Sequence, residues 1–462
     1  MYLCNVKISE VAYMCFVLLC GVTLVVSLLL WRGATPAVMA VTAILSATSI
    51  TAMLKFCPWR SRAMAWILTA SATLSLLGVI LNMHLFTVAL GGTVSDPVLM
   101  NFDAHRDWNG ALGLLSGTES PRPILPMAYV AAGLIALFGR DFTVLLSFVS
   151  LCYPLAIAGI GGVAWFASGG KRRVATIAMG LTALMCYLYT QSTVFLKDVP
   201  LTMLMAVLTC LLARWRMTGF RPGAAEVTIA MIVAIVAGLL RTNMGLIVVT
   251  MAVVFGIGRR DNLWPFVFVA LAGLLSKFVV DPLVYHYNID AVKVLTADPS
   301  SLIVLKNENT AAWDNILGDY STMPFYRKLL MLPLSLVVQF LLPFPWNIFR
   351  FNDFGYTMCV AHLGYTWYFA GALILYWLFT MWRQAPAAMR HTVACGVLLT
   401  IVTAWLSSGR VSRYCLPWLP MLLPAAAAVI ARGWRKSLGV WLAVFTVLLA
   451  TTLIICYMMQ HH

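Results

Sequence analysis

Residues 8–31 read ISEVAYMCFVLLCGVTLVVSLLLW, and Glu10 is the only charged side chain in this run. A helix of about 20 such residues crosses the hydrocarbon core of a bilayer, which is about 30 Å thick. The run is too long for the apolar core of a signal peptide, and it contains no clear small-residue cleavage site. We therefore interpret residues 8–31 as a retained first membrane span.

The composition of the whole chain agrees with this interpretation. Of its 462 residues 62% are hydrophobic and 10% are charged, whereas a soluble globular chain carries about 25% charged residues. The sequence predicts an all-α polytopic membrane protein, with residues 1–462 forming a single transmembrane domain. The net charge of +15 would suggest a nucleic-acid partner in a soluble domain, but basic loops at the cytoplasmic face explain it better, and we predict no nucleic-acid partner.

The apolar stretches predict about 13 transmembrane helices. Each is long enough, or nearly long enough, to cross the bilayer. The predicted spans are 8–31, 35–54, 64–90, 142–167, 174–196, 199–215, 225–240, 243–258, 263–282, 359–382, 391–407, 413–431 and 437–457. Two further apolar stretches, 123–139 and 329–342, are ambiguous by length alone.

Basic clusters decide the ambiguity. They occur at 55–62, 169–173, 214–221, 259–260, 383–390 and 432–436. All of them fall on one side only if 123–139 and 329–342 do not cross the membrane. That side then carries 17 Lys and Arg against 3 Asp and Glu, and the other side carries 14 against 13. Because cytoplasmic loops are enriched in Lys and Arg, we predict a multi-pass protein of the cell membrane with its N-terminus in the cytoplasm.

This topology leaves two large loops on the extracytoplasmic side, at 91–141 and 283–358. Each contains an apolar segment that we expect to lie in the membrane interface as a helix. The first loop holds four ionisable residues just after the third span, Asp103, His105, Arg106 and Asp107. A solvated loop with local charge pairs is the ordinary alternative, but charges this close to hydrocarbon are costly and are usually functional.

Six further charged residues and one tyrosine fall at the same predicted face. Each has an ordinary explanation by itself, as a helix-end anion, a snorkelling cation or an interfacial aromatic. Together they converge on one face of the membrane and suit a site where a lipid phosphate meets a hydroxyl group. They are Arg122, which lies between two prolines, and Lys197, Asp198, Arg241, Arg410, Arg413 and Tyr414.

The order of these landmarks resembles the GT-C superfamily of integral membrane glycosyltransferases. The similarity is closest to the branch that contains the bacterial aminoarabinose transferases of lipid A and the protein O-mannosyltransferases. The matching segments are "DAHRDW" (103–108), "PRPILPMAYVAAGLIALFG" (121–139), "LKDVP" (196–200) and "SRYCLPWLPMLLPAAAA" (412–428). The sequence departs from the family where Ala104 stands in place of the second acidic residue, and where 8–31 and 35–54 precede the usual first span.

The resemblance implies transfer of a sugar, with inversion, from a polyprenyl-phosphate carrier to a glycan, lipid or protein acceptor of the cell envelope. Asp103 would be the general base, and Asp198 would organise the site. Arg122 would hold the carrier phosphate, and Lys197, Arg241, Arg410 and Arg413 would contact phosphate or glycan. No metal or cofactor is expected to be required, although His105 and nearby carboxylates leave a divalent cation open. Besides its donor and acceptor, the protein is expected to have membrane lipid as a partner.

Three other functions stay open from the sequence. A transporter or flippase of a lipid-linked saccharide should carry polar residues or broken helices near the centre of the membrane. The sequence places its charges at the ends of spans instead. A polysaccharide polymerase or ligase of another fold is the nearest rival, because such enzymes also place basic residues on a large outer loop. A structural membrane protein is disfavoured by the paired outer loops.

Overall fold

The computed structural model describes residues 8–30, 35–85, 90–98, 102–118, 126–217, 220–241, 243–258, 262–280, 324–341, 366–407 and 416–461. The described part is α-helical and contains no β-strand. The long apolar helices agree with an α-helical polytopic membrane protein. The total of 13 spans and the extracytoplasmic position of the two loops stay predictions.

Eighteen α-helices follow one another in the described part of the chain. They are α1 (Ile8–Leu29), α2 (Pro36–Phe56), α3 (Arg62–His84), α4 (Phe102–Ser116), α5 (Pro126–Phe138), α6 (Phe142–Ala167), α7 (Arg172–Ala183), α8 (Cys186–Ser192), α9 (Asp198–Trp215), α10 (Ala224–Leu240), α11 (Met244–Gly256), α12 (Trp264–Leu275), α13 (Phe325–Leu330), α14 (Leu332–Leu341), α15 (Thr366–Thr380), α16 (Ala387–Ser407), α17 (Leu419–Arg432) and α18 (Lys436–His461).

Six of the described helices are long and apolar enough to cross a membrane: α2, α3, α6, α9, α16 and α18. Helix α6 lies at the centre of the bundle, where it packs against α2, α3, α7, α9 and α17. Small residues allow this close packing, since a Cβ atom on Gly159 would lie 2.9 Å from the Cβ of Ala206 on α9. Helix α18 is peripheral, and only 6% of its apolar window is buried within the protein.

Local sequence fixes where the central helices begin. Ser61 accepts a hydrogen bond from the backbone N–H of Met64 at 3.0 Å and so caps α3. Asp141 caps α6 in the same way, by accepting from the N–H of Thr143 at 2.8 Å. The Thr35 hydroxyl donates to the other oxygen of Asp141, which joins the start of α2 to the start of α6. Such caps satisfy N–H groups that have no partner within the helix.

The described basic clusters gather at one end of the bundle, which we call the basic end. Ser61 lies 3.4 Å from Thr176 near the start of α7, and Arg214 lies over the ring of Phe166. Arg216 meets His391 on α16 at 3.1 Å. Arg432 then meets Gln384 at 3.5 Å. The predicted segregation of these clusters is therefore a feature of the fold, while 259–260 lie outside the described residues. Which side of a membrane this end faces stays a prediction.

The opposite end of the bundle, which we call the site end, carries α4. Here the backbone N–H of Phe142 donates to the carbonyl of Val94 at 3.0 Å. The Asn82 amide at the end of α3 donates to the Thr193 carbonyl at 2.7 Å. These bonds bring residues 90–98, the start of α6 and the segment before α9 together.

The prediction of one continuous helix over 174–196 is wrong. The chain instead forms α7, a break at Leu184 and Met185, and the short helix α8. Helix α7 has 12 residues, which rise about 18 Å and fall short of the hydrocarbon thickness. Other helices take up the carbonyl groups at the break, since the Tyr153 hydroxyl on α6 donates to the Ala183 carbonyl at 3.3 Å and the Thr366 hydroxyl on α15 donates to the Leu184 carbonyl at 2.9 Å.

The two ambiguous apolar stretches are helical. Residues 123–139 contain α5, and 329–342 contain α14 and the end of α13. Helices α4 and α5 pack against each other within the predicted first loop, 91–141. Of the second predicted loop, 283–358, the structure describes residues 324–341.

Candidate functional site

Helix α4 sorts the residues of the first loop onto two faces. Ala104, Trp108 and Ala111 are buried against the bundle, as their spacing along a helix requires. His105 lies on the opposite, exposed face and is 2.8 Å from the Asn109 amide. The imidazole of His105 therefore points away from the packed side of α4.

Asp103 lies in the first turn of α4 at the border between these faces. Its carboxylate pairs with Arg106 at 3.2 Å, and 27% of its side chain is exposed. A carboxylate in the first turn of a helix is stabilised by the helix dipole. Asp103 thus combines a fixed position with access from outside the protein.

Asp107 lies one turn further along the same side of α4 and is 4% exposed. Its Oδ1 atom receives no hydrogen bond from any described residue. Burial raises the pKa of Asp107 to about 7; the charges of Lys197 and Arg106 oppose this shift, and Asp103 adds to it. Burial of a carboxyl group favours its neutral form, and with a pKa of about 7 Asp107 changes charge near neutral pH.

Lys197 approaches this pair of carboxylates from the segment before α9. Its side chain keeps intermediate exposure, although its ammonium group is set deep among protein atoms. The pKa of Lys197 lies below its ordinary value, because burial and the neighbouring Arg241 disfavour the charged ammonium. The carboxylates of Asp198, Asp103 and Asp107 oppose this shift. No ion pair within 4.0 Å joins Lys197 to a described residue. The ammonium of Lys197 therefore lies among the carboxylates of Asp198, Asp103 and Asp107, and in the described part it pairs directly with none of them.

Asp198 and Arg241 complete this group of charged side chains. Asp198 is 2% exposed in the first turn of α9, and Arg241 lies at the end of α10. Their side chains approach to 3.9 Å. Asp103, Asp107, Lys197, Asp198 and Arg241 are all close enough to act on one another electrostatically, and we call these five residues the charged cluster.

Asn243 and Lys277, which form a hydrogen-bonded pair, were not singled out from the sequence. Asn243 has a left-handed backbone with φ of +65°, and its side-chain oxygen accepts a hydrogen bond from the ammonium of buried Lys277. Lys277 lies in the π-helical turn Ser276–Val280 that continues α12. The signal was present in the sequence, because a lysine within a predicted span such as 263–282 is itself a mark of function or of structural pairing.

The remaining predicted site residues cannot be placed relative to the cluster. Arg122, Arg410, Arg413 and Tyr414 lie outside the described residues. Among the residues that are described, no three His, Cys, Asp or Glu side chains group in a way that would hold a metal ion. Whether the protein requires a metal therefore stays a prediction.

Aromatic side chains wall the cluster on the side of the bundle. Trp108 contacts Phe142 edge-to-face with ring centroids 5.3 Å apart, and Phe142 contacts Phe195 at 6.3 Å. All three rings are buried. Buried aromatic rings of this kind lower the local dielectric constant, so the charges of the cluster act strongly on an ion close to them.

Searches of protein-family models and of curated proteins find no match to this chain.

Proposed function

We propose that the protein transfers a sugar from a polyprenyl-phosphate carrier to an acceptor hydroxyl of the cell envelope. The observation that carries the proposal is the deep ammonium of Lys197, which lies within electrostatic range of Asp103, Asp107, Asp198 and Arg241. A phosphate group needs cations at a membrane surface, and an acceptor hydroxyl needs a base beside them. The cluster provides both at the end of the bundle opposite the basic end.

Four of the five cluster residues then have a role in one displacement reaction. The acceptor oxygen attacks the anomeric carbon and the bond from that carbon to the phosphate oxygen breaks. The carrier phosphate leaves with the electron pair, and Lys197 and Arg241 stabilise its charge. Asp103 takes the proton of the acceptor hydroxyl, because its side chain is reachable from outside. Asp198 holds Arg241 in place. Attack opposite the leaving phosphate inverts the sugar.

The test uses cells that lack the gene and carry one variant each. Mass spectrometry of the envelope glycans should show a species that loses one sugar in the deletion strain and regains it with the wild-type gene. Asp103→Asn should fail to restore that sugar at an equal level of protein in the membrane. Asp96→Asn is the matched control, since the Asp96 side chain is 81% exposed and its carboxylate pairs with Arg140 at 3.8 Å.

Two outcomes would count against this reaction. Full restoration by Asp103→Asn would remove Asp103 as the base. Accumulation of an intact lipid-linked saccharide on the cytoplasmic side of the deletion strain would favour the transporter alternative. A shift in chain length of a whole polysaccharide would favour the polymerase or ligase.

A further inference from the structure

A polar recess lies at the basic end, which is the end of the bundle opposite the charged cluster. It has a volume of about 210 Å³ and lies where α15, α17 and α18 meet. Gly433, with φ of +88°, ends α17 and turns the chain into α18. Its polar lining consists of Tyr376, Thr380, Gln384, Arg432, Arg435 and Ser437.

The recess carries two positive charges that the described lining does not neutralise. The Arg432 guanidinium donates a single long hydrogen bond of 3.5 Å to Gln384. No described carboxylate pairs with Arg432 or Arg435. Glu226, which also lies at the basic end, is committed to Arg214 at 2.9 Å. Two guanidinium groups held beside neutral hydroxyl and amide groups make an arrangement that binds phosphate oxygens.

Helix dipoles do not decide the matter. The carbonyl end of α17 and the N–H end of α18 both lie at this recess, so their partial charges oppose each other. The Tyr376 and Ser437 hydroxyls lie 2.8 Å apart and form a neutral floor. Attraction for an anion therefore rests on the two arginine side chains.

The surroundings of the recess favour an anion that is part of a lipid. Trp434 and Phe379, which flank it, are 75% and 76% exposed. The adjoining face of α18 is also apolar and exposed, as at Val440 and Val444. Exposed aromatic rings next to arginine are typical of the membrane interface. A phospholipid whose phosphate occupied the recess would have its acyl chains beside α18.

We propose that this recess binds the phosphodiester headgroup of an anionic phospholipid, with Arg432 and Arg435 as its ligands. The site is independent of the proposed glycosyl transfer, because it lies at the other end of the bundle. Basic pockets between membrane helices recognise lipid headgroups by this chemistry. A soluble phosphate compound shares the same chemistry, so the experiment must separate the two sources.

The test measures lipid binding to the full-length purified protein by native mass spectrometry and by thermal unfolding in detergent. The added probes are phosphatidylglycerol, phosphatidylcholine and inorganic phosphate at matched phosphate concentration. Phosphatidylglycerol should bind and raise the unfolding temperature of the wild type, and the other two should not. Arg432→Gln with Arg435→Gln should weaken phosphatidylglycerol binding by about tenfold or more, because each charged contact contributes strongly.

The matched control removes two exposed arginines from the same end, by Arg172→Gln with Arg173→Gln. It should bind phosphatidylglycerol like the wild type. A second variant, Arg432→Lys with Arg435→Lys, keeps the charge and should bind with intermediate strength, which shows that the fold is intact. Equal weakening in the control pair would reduce the effect to general charge. Equal protection by inorganic phosphate would overturn the lipid assignment, and wild-type binding by the glutamine pair would overturn the site.

Discussion

Asp107 should make the stability of the protein depend on pH in an unusual direction. Its pKa is about 7 in the folded chain, against an ordinary value of 3.8. The folded state therefore holds a proton between these values that the unfolded state has released. Stability from this group is fully present below pH 3.8 and is lost as pH rises towards 7. The loss is about 1.4 kcal/mol for each pH unit.

Replacing Asp107 by Asn removes this dependence, since the amide stays neutral. Between about pH 5 and about pH 8 the wild type should lose roughly 3 kcal/mol of unfolding free energy that the variant keeps. Asp107→Asn should therefore be more stable than the wild type at the higher pH, and its advantage should be smaller by roughly 3 kcal/mol at the lower pH. Denaturant unfolding of the purified protein in detergent, followed by tryptophan fluorescence, measures both curves.

Asp103→Asn is the matched control for Asp107→Asn. Asp103 lies one turn away on the same helix but is partly exposed and paired with Arg106. Its replacement should not give a gain that grows with pH, because no burial cost is relieved. Parallel curves for the wild type and Asp107→Asn over this pH range would refute the reasoning. The carboxyl group would then be solvated or paired in the folded protein.

Two further predictions concern packing and pairing. Arg241→Gln should destabilise the protein by about 3 kcal/mol, since it removes the ion-pair partner of buried Asp198. Adding Asp198→Asn should recover most of this loss in a double-mutant cycle, and simple additivity would contradict the pairing. Gly245→Ala should reduce the yield of monodisperse protein in size-exclusion chromatography, because its Cβ would collide with the Gly273 carbonyl of α12. Gly133→Ala has open space and should leave the yield unchanged, so equal loss in both would contradict the packing argument.

Much of the helical framework could be predicted from the sequence. Apolar runs predicted α2, α6 and α9 nearly to their ends, because hydrophobic length is the main signal of a membrane helix. The predicted span 64–90 began near the start of α3 but extended six residues beyond its end at His84. The basic clusters were expected on one side, and the structure gathers those that it describes at one end. The identity of the membrane face behind that end is a separate matter, and the fold alone carries no information on it.

The break between α7 and α8 could not be predicted from hydropathy. Residues 174–196 are apolar enough for one helix. At the break, the Tyr153 hydroxyl on α6 takes up the carbonyl of Ala183, and the Thr366 hydroxyl on α15 takes up the carbonyl of Leu184. Thr366 is 182 residues away from Leu184 in the chain. Tertiary hydrogen bonds of this kind override local preference, and periodicity within one segment does not reveal them.

The ionisable residues of the first loop could be found from the sequence but not told apart. Asp103, His105, Arg106 and Asp107 are near neighbours in the chain. Their spacing alone would place Asp103 and Asp107 on one side of a helix, yet the depth of each side chain depends on which face packs. Ala104, Trp108 and Ala111 decide that face. They bury Asp107 and leave His105 exposed.

The arrangement of charge in the cluster explains why an anion would be drawn to it near neutral pH. The charged cluster and Arg106, which pairs with Asp103, together hold three cations and three carboxylates, so these six side chains carry no net charge when every one is ionised. Protonation of Asp107, whose pKa is about 7, leaves one positive charge in excess. A phosphate that enters beside Lys197 opposes the ionised form of Asp107 and so raises its pKa. In the proposed reaction, donor binding and proton uptake at Asp107 are therefore linked, and each stabilises the other.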